Sequence, residues 1–141
     1  PLIEDKLYAF NDCHAVMALL GAGRIGEAER TVSILTETAR KQSDNALMSR
    51  DVGLPLARAL LAFEHGKYAA TIDLLRPLRN IAQRFGGSHA QRDLIDLTLI
   101  EAAHRAGEAS LVRALANERL ALKPKSPLAR RYRDQGTKQA A

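Results

Sequence analysis

Apolar residues recur at helical spacing along nearly the whole chain, and the strict alternation that is typical of strands is absent. Three times an apolar helical stretch ends at a small turn marked by glycine, and a second helical stretch follows. The turns are Gly23-Arg24-Ile25, Gly66-Lys67-Tyr68 and Gly107-Glu108-Ala109. A recurring helix–turn–helix unit predicts an all-α fold, an α-solenoid of about three antiparallel helix pairs plus a short C-terminal helix.

Local signals mark where several helices begin or break. Asn11 is a residue type preferred at an N-cap, and Pro55 suits a first helical turn, where its missing N–H costs nothing. Ser88 and Gln91 have the spacing of a capping box. Pro77 falls inside a helical stretch and should kink that helix or split it.

These signals and the apolar periodicity set the predicted boundaries. The helices are expected at 12–22, 26–41, 54–65, 68–85, 89–106 and 108–122, with a short one from Ser126-Pro127 to about Arg133. We expect residues 1–134 to form a helical repeat domain and residues 135–141 to form a flexible basic tail.

Length and cysteine content narrow the class of protein. A chain of 141 residues has room for one domain with a hydrophobic core. Cys13 is the single cysteine, so an intrachain disulfide is impossible and a reducing, cytoplasmic compartment is expected. No apolar run approaches the ~20 residues of a membrane span, and we expect no membrane partner. Because the chain opens at Pro1 without a Met, we expect a piece of a longer protein.

The net charge of +5 lies entirely in the last 19 residues, 123–141. Residues 1–122 carry 15 basic and 15 acidic residues, whereas residues 123–141 carry six basic residues against Asp134 alone. Such a tail can be a solvated end that keeps the protein soluble, or it can touch nucleic acid or an anionic membrane face. We favour the solvated end, and nucleic acid is not the expected partner.

The turn positions also match the tetratricopeptide repeat, in which small and large residues recur at fixed offsets from the turn. The glycines lie 43 and 41 residues apart, whereas a standard repeat has about 34 residues. The matching positions are Gly23, Ile25 and Ala28, then Gly66, Tyr68 and Thr71, then Gly107, Ala109, Val112 and Pro124.

Four longer strings resemble the C-terminal part of the tetratricopeptide repeat protein 38 family, and their order and rough spacing match as well. The strings are Phe10-Asn11-Asp12-Cys13-His14, Arg50-Asp51-Val52-Gly53-Leu54-Pro55-Leu56, Gly86-Gly87-Ser88-His89-Ala90-Gln91-Arg92-Asp93 and Ala121-Leu122-Lys123-Pro124-Lys125-Ser126-Pro127-Leu128. The resemblance implies an all-helical repeat fold and, by analogy with other tetratricopeptide proteins, a scaffold role. It implies no activity or ligand, and the tail after Leu128 matches nothing in the family.

In tetratricopeptide units the inward positions of the first helix line a groove. Here that groove would be apolar on its N-terminal side and charged on its C-terminal side. Upstream helices or a second copy of the chain could cover it, or it could receive a partner helix or an acyl chain. The residues that we expect to contact a partner are Met17, Leu20, Leu60, Phe63, Glu101 and His104.

Polar strings recur at the start of each unit's first helix, and the Arg-Asp pair appears twice. One interpretation is structural, with Arg of one unit paired to Asp of the next. The other is an anion-binding edge that would serve a small-ligand binder or an enzyme. The residues of this polar edge are His14, Arg50, Asp51, Ser88, Arg92 and Asp93.

Signals for catalysis are weak. Cys13 and His14 are adjacent, so on a helix their side chains point about 100° apart and do not form a nucleophile–base pair. The sequence has no metal-ligand spacing of Cys and His, no phosphate loop and no dinucleotide-binding motif. We therefore expect a scaffold without catalytic activity, cofactor or metal, whose partner is a protein, a peptide or a second copy of itself.

Overall fold

The computed structural model describes residues 2–40, 49–84 and 89–139. These residues are almost entirely helical and contain no strand, which confirms the all-α prediction. None of their helices combines the length and the apolar character needed to cross a membrane. The α-helices are α1 (Leu2–Gly21), α2 (Ile25–Ala39), α3 (Leu54–Glu64), α4 (Tyr68–Arg84), α5 (His89–Arg105), α6 (Ala109–Leu122) and α7 (Pro127–Gln139).

The three glycine turns share one hydrogen-bonding pattern. At the second turn the Gly66 N–H donates to Phe63 O (3.0 Å) and the Lys67 N–H donates to Ala62 O (2.8 Å). The turns at Gly23 and Gly107 repeat this pair of hydrogen bonds, and Gly23, Gly66 and Gly107 have φ of 71°, 71° and 76°. This is the Schellman arrangement, in which a left-handed residue lets the chain satisfy the last carbonyls of a helix. The glycines are therefore required for their backbone conformation.

Apolar side chains between successive helices form the core. α1 packs on α2 and α3, and each later helix packs on the one that follows it. Each fully buried aliphatic side chain contributes about 1.5–3 kcal/mol of transfer free energy. The largest fully buried apolar side chains are Val16, Val52, Leu56, Leu75, Leu78, Ile95, Leu99, Ile100 and Val112.

One turn of π-helix, Ser49–Gly53, leads directly into α3. Its Gly53 carbonyl accepts a hydrogen bond from the Cys13 thiol at 3.4 Å, which ties this turn to α1. Pro55 lies in the first turn of α3, as predicted. The π-helical turn itself was not predicted.

The first helix is longer than its sequence signals suggested. α1 begins at Leu2 rather than at residue 12, and Asn11 therefore lies inside the helix and does not cap it. Residues 2–10 include no proline or glycine that would stop a helix, so the preference of asparagine for a cap gives way to continuation. The capping box predicted at Ser88 and Gln91 lies outside the described side chains.

Pro77 does not split its helix, since α4 runs unbroken from Tyr68 to Arg84. A proline inside a helix costs about 3 kcal/mol. Its exposed ring avoids the core, while Leu75 and Leu78 on either side are buried and hold both halves of α4 in place. Packing of these side chains outweighs the lost hydrogen bond.

The C-terminal helix α7 continues to Gln139, beyond the predicted end near Arg133 and across the expected domain boundary at residue 134. Ser126 caps its start, because its Oγ accepts the Ala129 N–H at 3.3 Å. The spacing of the buried residues Ala129, Tyr132 and Gly136 gives α7 one face against the body. A Cβ added at Gly136 would lie 3.3 Å from the Ala109 carbonyl oxygen, so α7 and α6 approach closely there.

Candidate binding groove

One open groove of about 350 Å³ lies across three helices. Five of the six predicted contact residues line it, namely Met17, Leu20, Leu60, Phe63 and Glu101. We call this feature the α1/α3/α5 groove. Its complete lining is Met17 and Leu20 from α1, Leu60, Phe63 and Glu64 from α3, and Leu97, Thr98 and Glu101 from α5.

Helical spacing explains why these residues share a surface. Within each helix the lining includes positions three or four residues apart, which share one face, and the adjacent pairs Phe63–Glu64 and Leu97–Thr98 widen that face. Neighbouring positions of the same helices carry core residues such as Val16, Leu56 and Leu99. Each of the three helices is thus apolar on two sides, one turned to the core and one turned to the groove.

The groove wall is packed rather than loose. Leu20, Leu60 and Phe63 are half-buried and lie against the core cluster. The Phe63 ring also meets the edge of Tyr68, with centroids 5.4 Å apart. Such contacts hold apolar groups in place while one side of each stays open to a partner.

Glu101 at the α5 end of the groove is held by two donors. Arg105 Nε donates to Glu101 Oε1 at 2.7 Å, and the Tyr132 hydroxyl donates to Glu101 Oε2. Arg105 also donates to the Tyr68 hydroxyl at 3.2 Å and lies 5.0 Å from the Phe63 ring centroid. The hydrogen bonds to Tyr68 and Glu101 raise the pKa of Arg105 above its usual value. This cluster fixes the α5 end of the groove and joins it to α7.

His104 does not line the groove, although it was predicted to. Its ring meets the edge of the Tyr132 ring, with centroids 5.6 Å apart, and its Nδ1 is buried without a hydrogen-bond partner. The docking of α7, which brings Tyr132 against His104, explains this placement. Glu64 and Thr98 line the groove without having been selected, and the four-residue step from Leu60 to Glu64 was the signal for the first of them.

At the polar edge, Asp93 finds its partners on the C-terminal side of α6. Its carboxylate accepts from Arg119 at 3.0 Å and from Lys123 at 2.6 Å. The hydrogen bond from Arg119, followed by that from Lys123, lowers the pKa of Asp93 below its usual value. Arg79 of α4 similarly joins Asp96 of α5 and Glu118 of α6, at 2.7 Å each. Ion pairs therefore link α4, α5 and α6, and of the residues involved sequence reasoning selected Asp93 alone.

Of the other polar-edge side chains, the structure describes Arg92, Asp51 and His14. Arg92 is half-buried, and its Nη2 lies 3.2 Å from His89 Nδ1, while its Nε is buried without a partner. Asp51 lies exposed on the π-helical turn, and His14 lies exposed on α1. The side chains of Arg50 and Ser88 are outside the described residues.

A second cavity of about 350 Å³ lies along this ion-pair network, between α4, α5 and α6. Its carboxylates, Asp93, Asp96 and Glu118, are all paired with cations of the same lining. A charged ligand would compete with these pairs in order to bind. An apolar partner in the α1/α3/α5 groove would not compete with ion pairs in this way.

The Cys13 thiol is buried between α1 and the π-helical turn. Burial, followed by the charge of Asp12, raises the pKa of Cys13 to about 12, so its thiol stays neutral at physiological pH. Across residues 11–40, 51–82 and 92–136, no group of three His, Cys, Asp or Glu side chains could hold a metal ion. The arrangement thus offers an apolar binding surface with a few charged groups at its edge.

Comparison with known proteins adds no assignment, because no family model matches the chain. No solved structure matches it either. The geometry of the α1/α3/α5 groove is therefore the basis on which a function can be assigned.

Proposed function

We propose that this protein is a non-catalytic scaffold that binds a protein or peptide partner in the α1/α3/α5 groove. In this proposal α1–α2, α3–α4 and α5–α6 are three helix pairs of a tetratricopeptide-like solenoid, and α7 covers its C-terminal end. The resemblance of four strings to the C-terminal part of the tetratricopeptide repeat protein 38 family supports this proposal. Its single thiol would stay reduced in the cytoplasm.

The observation that carries the proposal is the convergence of residues from three separate helices on one apolar surface. The same groove is lined by apolar residues from three distant parts of the sequence, namely Met17 and Leu20, Leu60 and Phe63, and Leu97. Removal of a contiguous apolar surface from water by a partner is favourable and would drive binding.

The surrounding architecture supports presentation of a preformed surface. The last turns of α1, α3 and α5 end in identical Schellman motifs, and the core beneath them is closely packed. A groove that is ordered before binding avoids the cost of ordering its own side chains. We therefore expect binding without rearrangement of the helices.

A selection with displayed peptides tests this function. The probe is a phage-displayed library of amphipathic helices, with apolar residues at positions i, i+3, i+4 and i+7 and randomised flanks. We expect selected peptides to bind the wild type and to lose at least about tenfold in affinity when Leu60→Ser and Phe63→Ser are combined.

The matched control is Ile34→Ser, which removes an apolar side chain that is 63% exposed on α2 and lies outside the groove. It should leave peptide affinity unchanged, and circular dichroism should show that both variants are folded. Peptides that bind the double variant as well as the wild type would contradict the proposal. A wild-type dimer that the double variant dissociates would show that a second copy fills the groove.

A further inference from the structure

The α1/α3/α5 groove lies near the C-terminal ends of α1 and α3. α1 ends at Gly21 and α3 at Glu64, and groove residues occupy the last turn or two of both, whereas those of α5 lie four to eight residues before its end at Arg105. The C-terminal end of a helix carries about half a negative charge from its aligned peptide dipoles. The ends of α1 and α3 therefore add negative potential at one side of the apolar surface.

Little positive side-chain charge at the groove offsets this potential. The last turns of α1 and α3 contain no basic residue. Arg105 in the last turn of α5 donates to Glu101 and stacks on Phe63. Arg24 and Lys67 follow α1 and α3 in sequence but do not line the groove, and Arg24 is bound to Glu27 at 2.6 Å.

Glu64 is the carboxylate that remains available to a partner. Both Glu101 oxygens already accept hydrogen bonds, from Arg105 and Tyr132. Glu64 also lines the groove, its side chain is exposed, and no cation of the described side chains pairs with it. A cationic group placed beside the apolar surface would therefore meet both Glu64 and the C-terminal end of α3.

The apolar lining favours a helical partner over an extended one. An extended peptide needs hydrogen-bond partners for its backbone, whereas five of the eight lining residues are apolar and all eight belong to helices. A helix satisfies its own backbone and offers an apolar face. Helices pack about 8–10 Å apart, so a groove across three of them is about 20 Å long and spans roughly 13 helical residues.

We infer that the α1/α3/α5 groove selects an amphipathic helix of a partner protein that carries Lys or Arg beside its apolar face, and that this cation pairs with Glu64. The inference rests on the proposed function and adds the charge of the partner to it. Recognition then has two parts: the apolar face supplies most of the affinity, and the cation selects among apolar helices.

Two stapled peptides of 14 residues test this selection. They share one leucine face and differ at a single flanking position, which is Lys in one and Glu in the other. We expect the Lys peptide to bind the wild type about five- to tenfold more tightly at low ionic strength, with a smaller difference in high salt. Glu64→Lys should invert this preference, and Glu64→Gln should reduce it.

Glu37→Lys is the matched control, since it makes the same charge change on the exposed surface of α2 away from the groove, and it should leave the preference intact. Equal binding of both peptides, lost in the combined Leu60→Ser and Phe63→Ser variant, would overturn the charge selection and leave the groove function standing. Failure of both peptides to bind the wild type would count against the groove function itself.

Discussion

At the scale of single residues, three glycines determine where the chain turns. Gly23, Gly66 and Gly107 were identifiable from sequence because each ends an apolar helical stretch, and each adopts a positive φ. A Cβ at these positions would meet nothing within 4 Å, so the backbone conformation alone explains the choice of residue. By contrast, the π-helical turn before α3 has no comparable signal in its sequence, Ser49–Gly53.

Replacing one of these glycines should destabilise the fold by a predictable amount. Gly66→Ala places a Cβ at φ of 71° and should cost about 1–2 kcal/mol of unfolding free energy. Gly26→Ala is the matched control, because Gly26 lies inside α2 with open space around it and without a positive φ. It should be neutral or stabilise by up to about 1 kcal/mol. Urea unfolding of both variants measures the difference, and equal effects would contradict this reading of the turns.

Cys13 should report on opening of the core between α1 and the π-helical turn. Burial raises its pKa to about 12, which lowers the thiolate fraction at pH 8 by about a thousandfold relative to an unfolded chain. We expect the native protein to react with a disulfide reagent at least that much more slowly than the protein in guanidinium chloride. Rates within tenfold of each other would mean that the thiol is accessible in the native state.

At the scale of helices, sequence periodicity located every described α-helix, and tertiary packing decided the boundaries that it missed. α4 continues through Pro77 because buried Leu75 and Leu78 hold it on both sides. α7 extends to Gln139 because its residues Ala129, Tyr132 and Gly136 form a buried face. Neither effect is visible in local propensity, since both depend on residues from neighbouring helices.

The ion pairs between α5 and α6 should make stability depend on acid pH. Pairing with Arg119 and Lys123 lowers the pKa of Asp93. The ionised carboxylate therefore stabilises the fold above the usual pKa of 3.8, and this stabilisation is lost as pH falls through the lowered pKa. Asp93→Asn should therefore be less stable than the wild type at pH 7, and the gap should narrow below about pH 4.

Asp73→Asn provides the control for this pH dependence. Asp73 is exposed on α4 and makes no ion pair with the described side chains, so its replacement should not reproduce the effect. Thermal melts of the three proteins from pH 3 to pH 7 measure the gap. A gap between Asp93→Asn and the wild type that stays constant over this range would contradict a stabilising role for the Asp93 pairs.

At the scale of the whole molecule, α1, α3 and α5 together present an apolar surface. Helical spacing from the turn glycines was enough to select Met17, Leu20, Leu60, Phe63 and Glu101. It misplaced His104, because the contact with Tyr132 depends on the way α7 docks. The partners of Asp93 were equally out of reach, since Arg119 and Lys123 lie more than twenty residues further along the chain.

The central claim is that the α1/α3/α5 groove is a binding surface, and the methyl signal of Met17 tests it most directly. The chain has two methionines, so protein labelled at methionine methyl groups gives two signals, and Met17→Leu assigns the one that lines the groove. We predict that titration with the Lys-bearing leucine-face peptide shifts the Met17 signal to saturation. The combined Leu60→Ser and Phe63→Ser variant should show no such shift. A peptide that binds the protein while the Met17 signal stays in place would contradict the account.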